Sequence, residues 1–211
     1  MAYYPIFLDM TERPCLVIGG GPVAERKVEA LIENGASVTV IAPALTARLE
    51  ELVTAGRIRH VSREYRLGDL AGSELAFVAT DDGEVNAAVA REGQERGVWV
   101  NAADDTAHCD FILPSVLRRG ELVVAVATGG ASPALSRAIR EELEAYFTED
   151  YAVLAGVVAE VRRELRQSGR VPDAETWRRA LDGDLRRLIA EGRREEAKAR
   201  LLWRLRAGIC A

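Results

Sequence analysis

Histidine and cysteine are scarce in this chain, and neither is spaced as a site. There are 2 histidines and 3 cysteines among 211 residues. Cys15, Cys109 and Cys210 lie far apart, without CxxC spacing, so neither a disulfide framework nor a zinc site is expected. Three free thiols are. No apolar run approaches the roughly 20 residues of a membrane helix, so no membrane partner is expected. The opening Met1-Ala2-Tyr3-Tyr4-Pro5 lacks a basic flank and a following signal-peptide core, which makes the cytoplasm the expected location. Internal repeats and low-complexity linkers are also missing.

The apolar share is 48%, enough for a packed core. The net charge of -5 is uneven: 14 basic and 9 acidic residues fall between Glu160 and Arg206. No aromatic-rich platform accompanies this basic tail, and acids are interleaved through it. It therefore reads as a solvated helical surface, with no nucleic-acid partner.

The first part of the chain alternates strand and helix patterns. Cys15 to Ile18 is a short apolar run ending in glycines. Val23, Ala24, Val28, Leu31 and Ile32 follow at helical spacing, and Asn34-Gly35 suits the helix end. Ser37 to Ala42 reads as a second strand. Leu45 to Ala55 reads as a helix, Arg57 to Val61 as a strand and Leu75 to Ala79 as a buried strand. A helix from Glu84 to about Glu95, with Val85, Ala88 and Val89 inward, precedes a strand at Val98-Trp99-Val100. Such alternation predicts an α/β fold, a Rossmann-type parallel sheet with helices on both faces. Phe111 to Leu113 and Leu122 to Ala127 then read as two strands, a β hairpin extending the sheet. Ser132 is the expected N-cap of a helix starting at Pro133. Beyond Phe147 the chain reads as helical. Its apolar faces are Leu154, Val157, Val158, Val161 and Leu165; then Trp177, Leu181, Leu185, Leu188 and Ile189; then Leu201, Leu202 and Leu205. Gly169 to Asp173 interrupts the first two.

Gly19-Gly20-Gly21-Pro22-Val23-Ala24 fits G-x-G-x-x-G/A between a strand and a helix, the context a dinucleotide fingerprint requires. Gly19 permits the tight turn, Gly21 lets a pyrophosphate approach the backbone, and Ala24 lets the helix pack on the strand. Pro22 costs little at a helix start, and Val23 and Ala24 belong to the turn whose free N–H groups attract phosphate. The acidic residue expected at the end of the second strand is missing. Ile41-Ala42-Pro43-Ala44 stands there, so backbone at Pro43 and Ala44 has to serve the ribose. No arginine sits there to favour NADP, and NAD is the preferred cofactor.

No lysine stands four residues after Tyr65, Tyr146 or Tyr151, so the Tyr-x-x-x-Lys pair of short-chain dehydrogenases is absent. His60 sits in a strand and reads as structural or exposed. His108, in a polar loop, reads equally as a base or a solvated residue. The densest polar cluster is Asn101-Ala102-Ala103-Asp104-Asp105-Thr106, after a parallel strand, where open α/β sheets bind ligands. On spacing alone its carboxylates are either proton acceptors or turn caps.

Five ordered motifs then make the chain recognisable. Tyr4-Pro5-Ile6-Phe7-Leu8 precedes Gly19-Gly20-Gly21-Pro22-Val23-Ala24-Glu25-Arg26-Lys27. Ala79-Thr80-Asp81-Asp82 ends the fourth strand. Asn101-Ala102-Ala103-Asp104 leads to Cys109-Asp110-Phe111 and Pro114-Ser115, and Gly129-Gly130-Ala131-Ser132-Pro133 follows. Together they closely resemble precorrin-2 dehydrogenase, the siroheme synthase N-terminal family, strongly over about residues 3 to 145 and loosely over the tail.

The resemblance implies oxidation of precorrin-2 to sirohydrochlorin with NAD in siroheme biosynthesis. Some members then insert ferrous iron. It also implies that Asp104 is the catalytic aspartate, accepting a proton as hydride leaves the macrocycle. Cofactor contacts are expected at Gly19, Gly21, Pro22, Val23, Ala24, Pro43, Ala44, Thr80 and Asn101. Substrate contacts are expected at Thr128, Gly129 and Gly130, with Arg118 and Arg137 pairing substrate carboxylates. No protein-bound metal site is expected. The implied organisation is an NAD-binding Rossmann domain over 1–113, a dimerisation and active-site segment over 114–146, and a helical C-terminal dimerisation domain over 147–211, in a homodimer. Because the sequence ends at Ala211, the methyltransferase domain fused to some relatives is not expected. The alternatives are an NAD-sensing regulatory module and a chelatase alone.

Overall fold

Every residue of Cys15 to Ile18 is buried, because this run forms the central strand of a parallel sheet covered on both faces. In the computed structural model, which describes residues 3–103 and 105–207, the strand is β1 (Pro14–Ile18). It is followed by α1 (Pro22–Glu33), β2 (Ser37–Ile41), α2 (Ala47–Thr54), β3 (Arg59–Val61), β4 (Leu75–Val78), α3 (Gly83–Arg96) and β5 (Trp99–Ala102). The strand order is β3-β2-β1-β4-β5, all parallel. Leu16 of β1 lies beside Thr39 of β2 and Ala76 of β4.

Alternation along β1 sorts its side chains onto two faces. Cys15 and Val17 pack with Val28 of α1 and Leu49 of α2. Leu16 and Ile18 pack with Val89 of α3 and with Val100. Helices thus cover both faces, as the alternating sequence pattern predicts. A buried carboxylate ties α3 to the loop before β4. Glu92, 1% exposed, accepts hydrogen bonds from Tyr65 Oη (2.6 Å), Gly68 N (2.9 Å), Leu70 N (3.2 Å) and Arg96 Nε (2.7 Å).

The chain divides into two compact units, one ending at Ile112 and the other starting at Leu113. In the second, β6 (Ser115–Arg119) pairs antiparallel with β7 (Leu122–Val126). The expected strand at Phe111 to Leu113 is not one, and Arg118 and Arg119 belong to a strand instead of a connection. The physical reason is that Phe111 is already committed to the first unit's core. Its ring meets Phe77 edge-on at 5.6 Å between centroids, and its carbonyl accepts from Asn101 Nδ2. Nor does the hairpin lengthen the parallel sheet; it forms a two-stranded sheet of its own.

Helix α4 (Pro133–Tyr146) starts where the sequence indicated, with the Ser132 hydroxyl accepting from Leu135 N at 3.1 Å. Then come α5 (Asp150–Gln167), α6 (Ala174–Ala180), α7 (Gly183–Ala190) and α8 (Arg194–Ala207). Their shared core includes Val157, Val161, Leu165, Leu185, Leu188, Leu201 and Leu205. The face read from Trp177 to Ile189 is split in two. Asp182 caps α7 through Leu185 N at 3.0 Å, and Leu181, in the break, is 41% exposed.

Candidate functional site

The glycine loop is built by three glycines that differ in what forces them. Gly19 has φ +119°, and a Cβ there would lie 2.2 Å from Ala79 O. A Cβ on Gly20 would lie 1.9 Å from Ala44 O. The fold itself therefore demands glycine at both. At Gly21 a Cβ would meet nothing within 4 Å, and the backbone is ordinary, φ −86°. The protein leaves open space over Gly21, a space into which a bound group can bring its oxygens.

The start of α1 is also left open. Helix α1 begins at Pro22 with no side-chain cap on Gly21. By contrast α2, α3, α4, α6 and α7 are capped by Thr46, Asp82, Ser132, Asp173 and Asp182. The N–H groups of Val23 and Ala24 lie in the first turn, where no intrahelical acceptor exists. Free N–H groups and the positive end of the helix make this a fit for the pyrophosphate of a dinucleotide. The Glu25 carboxylate is held aside by Thr46 Oγ1 at 2.5 Å.

At the carboxyl end of β2, His60 Nε2 pairs with Ala42 O at 2.9 Å, which ties this ring to the strand end. Pro43 and Ala44 are exposed there. On the other side of the loop a cavity of about 260 Å³ opens, lined by Val23, Ala79, Thr80, Asp81, Asn86, Ala103 and Asp105. Its position follows from topology. The sheet order reverses between β1 and β4, and ligands of open α/β sheets bind at such a point beyond the strand ends.

The far lip of the cavity is held by the loop after β5. Asn101 Nδ2 donates to Phe111 O at 2.9 Å. Asp110 pairs twice with Val100, through its own N–H to Val100 O and through Oδ2 from Val100 N, each at 2.8 Å. The Cys109 thiol lies 3.2 Å from both Ala102 O and Asp105 O. Burial pushes this thiol above its ordinary pKa; the more deeply buried Cys15 thiol is pushed up to about 11. Asp105 Oδ2 pairs with His108 Nδ1 at 2.6 Å. That bond holds the Asp105 carboxyl below its usual range, so it is ionised at neutral pH.

Several expected site residues thus come together. Gly19, Gly21, Pro22, Val23 and Ala24 form the loop, with Thr80 at the cavity and Asn101 beneath its lip. Asp104 and Cys210 lie outside the described residues, but Ala103 and Asp105 both line the cavity. In the second unit, Thr128 Oγ1 accepts from Ser132 N and donates to Ser132 O, both at 3.0 Å. It pins the Gly129–Gly130 turn to the start of α4. Arg118 on β6 and Arg137 on α4 are exposed. Among the described residues no group of three or more His, Cys, Asp or Glu could hold a metal ion.

One site residue escaped the sequence reading. Asn86 is 6% exposed, and its Oδ1 has no hydrogen-bond partner among the described residues. A buried carbonyl left so costs about 1–3 kcal/mol. The available signal was its place four residues after the Asp82 cap, on the inward face with Val89 and Ala90.

Comparisons with known proteins agree with this geometry. A family model described as "Putative NAD(P)-binding" matches residues 6–115, and one described as "Sirohaem biosynthesis protein central" matches residues 119–146. The chain is 42% identical over 204 residues to a siroheme synthase of Methylococcus capsulatus, covering 96% of this chain and 43% of that protein. It is 39% identical to a siroheme synthase of Photobacterium profundum, covering 96% and 44%. The chain therefore spans less than half the length of these curated relatives. Among solved structures it is similar to "SirC, precorrin-2 dehydrogenase", with TM-score 0.76 and 26% identity, covering 97% of this chain and 100% of that one. With the first model matching more than half of the residues, this chain belongs to the putative NAD(P)-binding family that it describes, and the sirohaem central segment follows in the sequence.

Proposed function

We propose that this protein oxidises precorrin-2 to sirohydrochlorin, with NAD as the hydride acceptor. The observation that carries the reading is the uncapped α1 N-terminus beside open space at Gly21, next to a cavity on the same sheet edge. It occurs in a chain that matches the whole length of a solved precorrin-2 dehydrogenase.

The dinucleotide would be held by the backbone of Gly19 to Ala24, with its adenosine toward Pro43 and Ala44 and its nicotinamide toward Thr80. When bound it supplies the site that receives the hydride. The lack of both an acidic and a basic side chain at the β2 end favours NAD over NADP, whose extra phosphate needs a cation. Asn101, Cys109 and Asp110 hold the cavity lip in place. Asp104 accepts the proton that the macrocycle loses. It is covalently flanked by two cavity-lining residues, Ala103 and Asp105.

Precorrin-2 is a polycarboxylate, which suits Arg118 and Arg137 as carboxylate partners and the Thr128-Gly129-Gly130 turn as a close-approach backbone. A homodimer fits the exposed apolar side chains of the second unit, among them Leu135 (52%), Tyr146 (59%) and Trp203 (69%). The relatives' name, siroheme synthase, supports a further step in which ferrous iron enters sirohydrochlorin as a substrate.

The test is anaerobic incubation with precorrin-2 and NAD, following NADH absorbance. Asp104→Asn should retain nucleotide affinity and lose turnover severely. Near-normal turnover in that variant rules out its role. Sirohydrochlorin with ferrous ions tests the second activity, and sedimentation tests the dimer, which a monomeric mass contradicts.

A further inference from the structure

The lining of the cavity is one-sided in a way that dinucleotide binding alone does not require. Asp81 and Asp105 both line it, the Asp105 carboxylate also pairing with His108 Nδ1 at 2.6 Å. Asn86 adds a carbonyl oxygen. That oxygen has no donor, although the residue is only 6% exposed. The described polar side chains therefore offer acceptors and negative charge, with Thr80 offering a hydroxyl. Among the described residues no lysine or arginine lines the cavity. Phosphates and carboxylates are disfavoured there, and cations and N–H donors are favoured.

The two ends of the dinucleotide can be assigned from the topology. The loop at the end of β1 takes the pyrophosphate, and the β2 side takes one nucleoside. The β4–β5 side takes the other. The volume of about 260 Å³ falls below the roughly 300–1,000 Å³ of a pocket enclosing a whole drug-sized ligand. One end of a dinucleotide fits such a space. Nicotinamide carries a positive ring charge when oxidised and none when reduced, and in both states its carboxamide has N–H donors.

We propose that this cavity is a charge-reading nicotinamide subsite, in which Asp81 and Asp105 make the protein bind the oxidised dinucleotide more tightly than the reduced one, and Asn86 Oδ1 accepts from the carboxamide. The inference rests on the dinucleotide reading above and adds redox discrimination to it. Its functional consequence is release: hydride transfer removes the ring charge that the carboxylates hold, so the reduced product leaves more readily than the oxidised cofactor.

The test is equilibrium binding to the whole chain, with no turnover. NADH is followed by its own fluorescence, and NAD and ADP-ribose by calorimetry, at pH 8, above the ordinary histidine range. Wild type should bind NAD roughly fivefold more tightly than NADH, the order expected of two partly solvated carboxylates acting on one charge. Asp81→Asn with Asp105→Asn should bring that ratio toward one by weakening NAD alone. Asn86→Ala should weaken NAD and NADH together by about tenfold, because a buried hydrogen bond is lost, and leave ADP-ribose unchanged. Equal wild-type affinities for NAD and NADH overturn the charge reading. An ADP-ribose affinity that falls in step in Asn86→Ala overturns the carboxamide contact. If wild type binds none of the three ligands, the dinucleotide reading itself falls, and this inference with it.

Discussion

Substituting the glycines of the loop one at a time separates what the fold needs from what the ligand needs. In Gly19→Ala, the new Cβ would stand 2.2 Å from Ala79 O in a backbone with φ +119°. Strain at that φ costs about 1–3 kcal/mol, and relieving the collision adds about 1–3 kcal/mol. Gly20→Ala adds only the collision, with Ala44 O at 1.9 Å. Gly21→Ala meets nothing within 4 Å. Its N-cap cost of about 0.5–1 kcal/mol is offset by a less flexible unfolded chain, about 0.4–1 kcal/mol. Its melting temperature should stay within about 2–4 °C of wild type. Its affinity for NAD should nevertheless fall at least about tenfold, ~1.4 kcal/mol, because the methyl occupies the space above the loop. Thermal unfolding without ligand and calorimetric titration with NAD give the two quantities. NAD affinity in Gly21→Ala equal to that of wild type, or a Gly19→Ala as stable as Gly21→Ala, would contradict this division between the glycines.

Other consequences are open to measurement. Asp82→Ala removes the cap that accepts from Glu84 N at 2.9 Å and Val85 N at 3.2 Å; it should cost about 1 kcal/mol in urea unfolding, and a loss of only a few tenths contradicts the cap. Glu92→Ala leaves the part-buried Gly68 N–H and the buried Leu70 N–H without an acceptor and should cost about 2–4 kcal/mol. Burial would raise the Glu92 carboxyl, but hydrogen bonds from Tyr65, Gly68, Leu70 and Arg96 outweigh it and hold the carboxyl below its usual range. Its contribution is thus present above the unfolded value of about 4.3 and fades as pH falls through the folded one. Glu92→Gln should flatten the decline of stability between about pH 5 and pH 3; an unchanged slope refutes that assignment. NAD should bind roughly tenfold more tightly than NADP, since the β2 end offers no cation for a phosphate, and equal affinities contradict that.

The parallel sheet was legible because its signals are local. A buried central strand has to be apolar throughout, and the turn at Gly19 and Gly20 admits no side chain. The hairpin was harder. Phe111-Ile112-Leu113 has the composition of a strand, but a core contact with Phe77 and a hydrogen bond to Asn101 claim Phe111 for the first unit. Those partners lie 34 and 10 positions away and leave no periodic trace. Leu181 was assigned to an apolar face because the Asp182 cap divides two helices too short to declare themselves. The cavity was half legible. Thr80 and the Asp104–Asp105 cluster announce themselves at strand ends, whereas Asn86 is a polar residue on an inward helical face, and its missing donor is visible only in three dimensions.

The proposed passage of hydride from precorrin-2 to a nicotinamide held by the glycine loop is measured by stoichiometry under anaerobic conditions, with NADH and sirohydrochlorin quantified in the same cuvette from their separate absorbance. The two should rise together, one for one, and Gly21→Ala should slow both equally. Sirohydrochlorin forming without NADH, or no NADH from protein shown to be folded and to bind NAD, would contradict it.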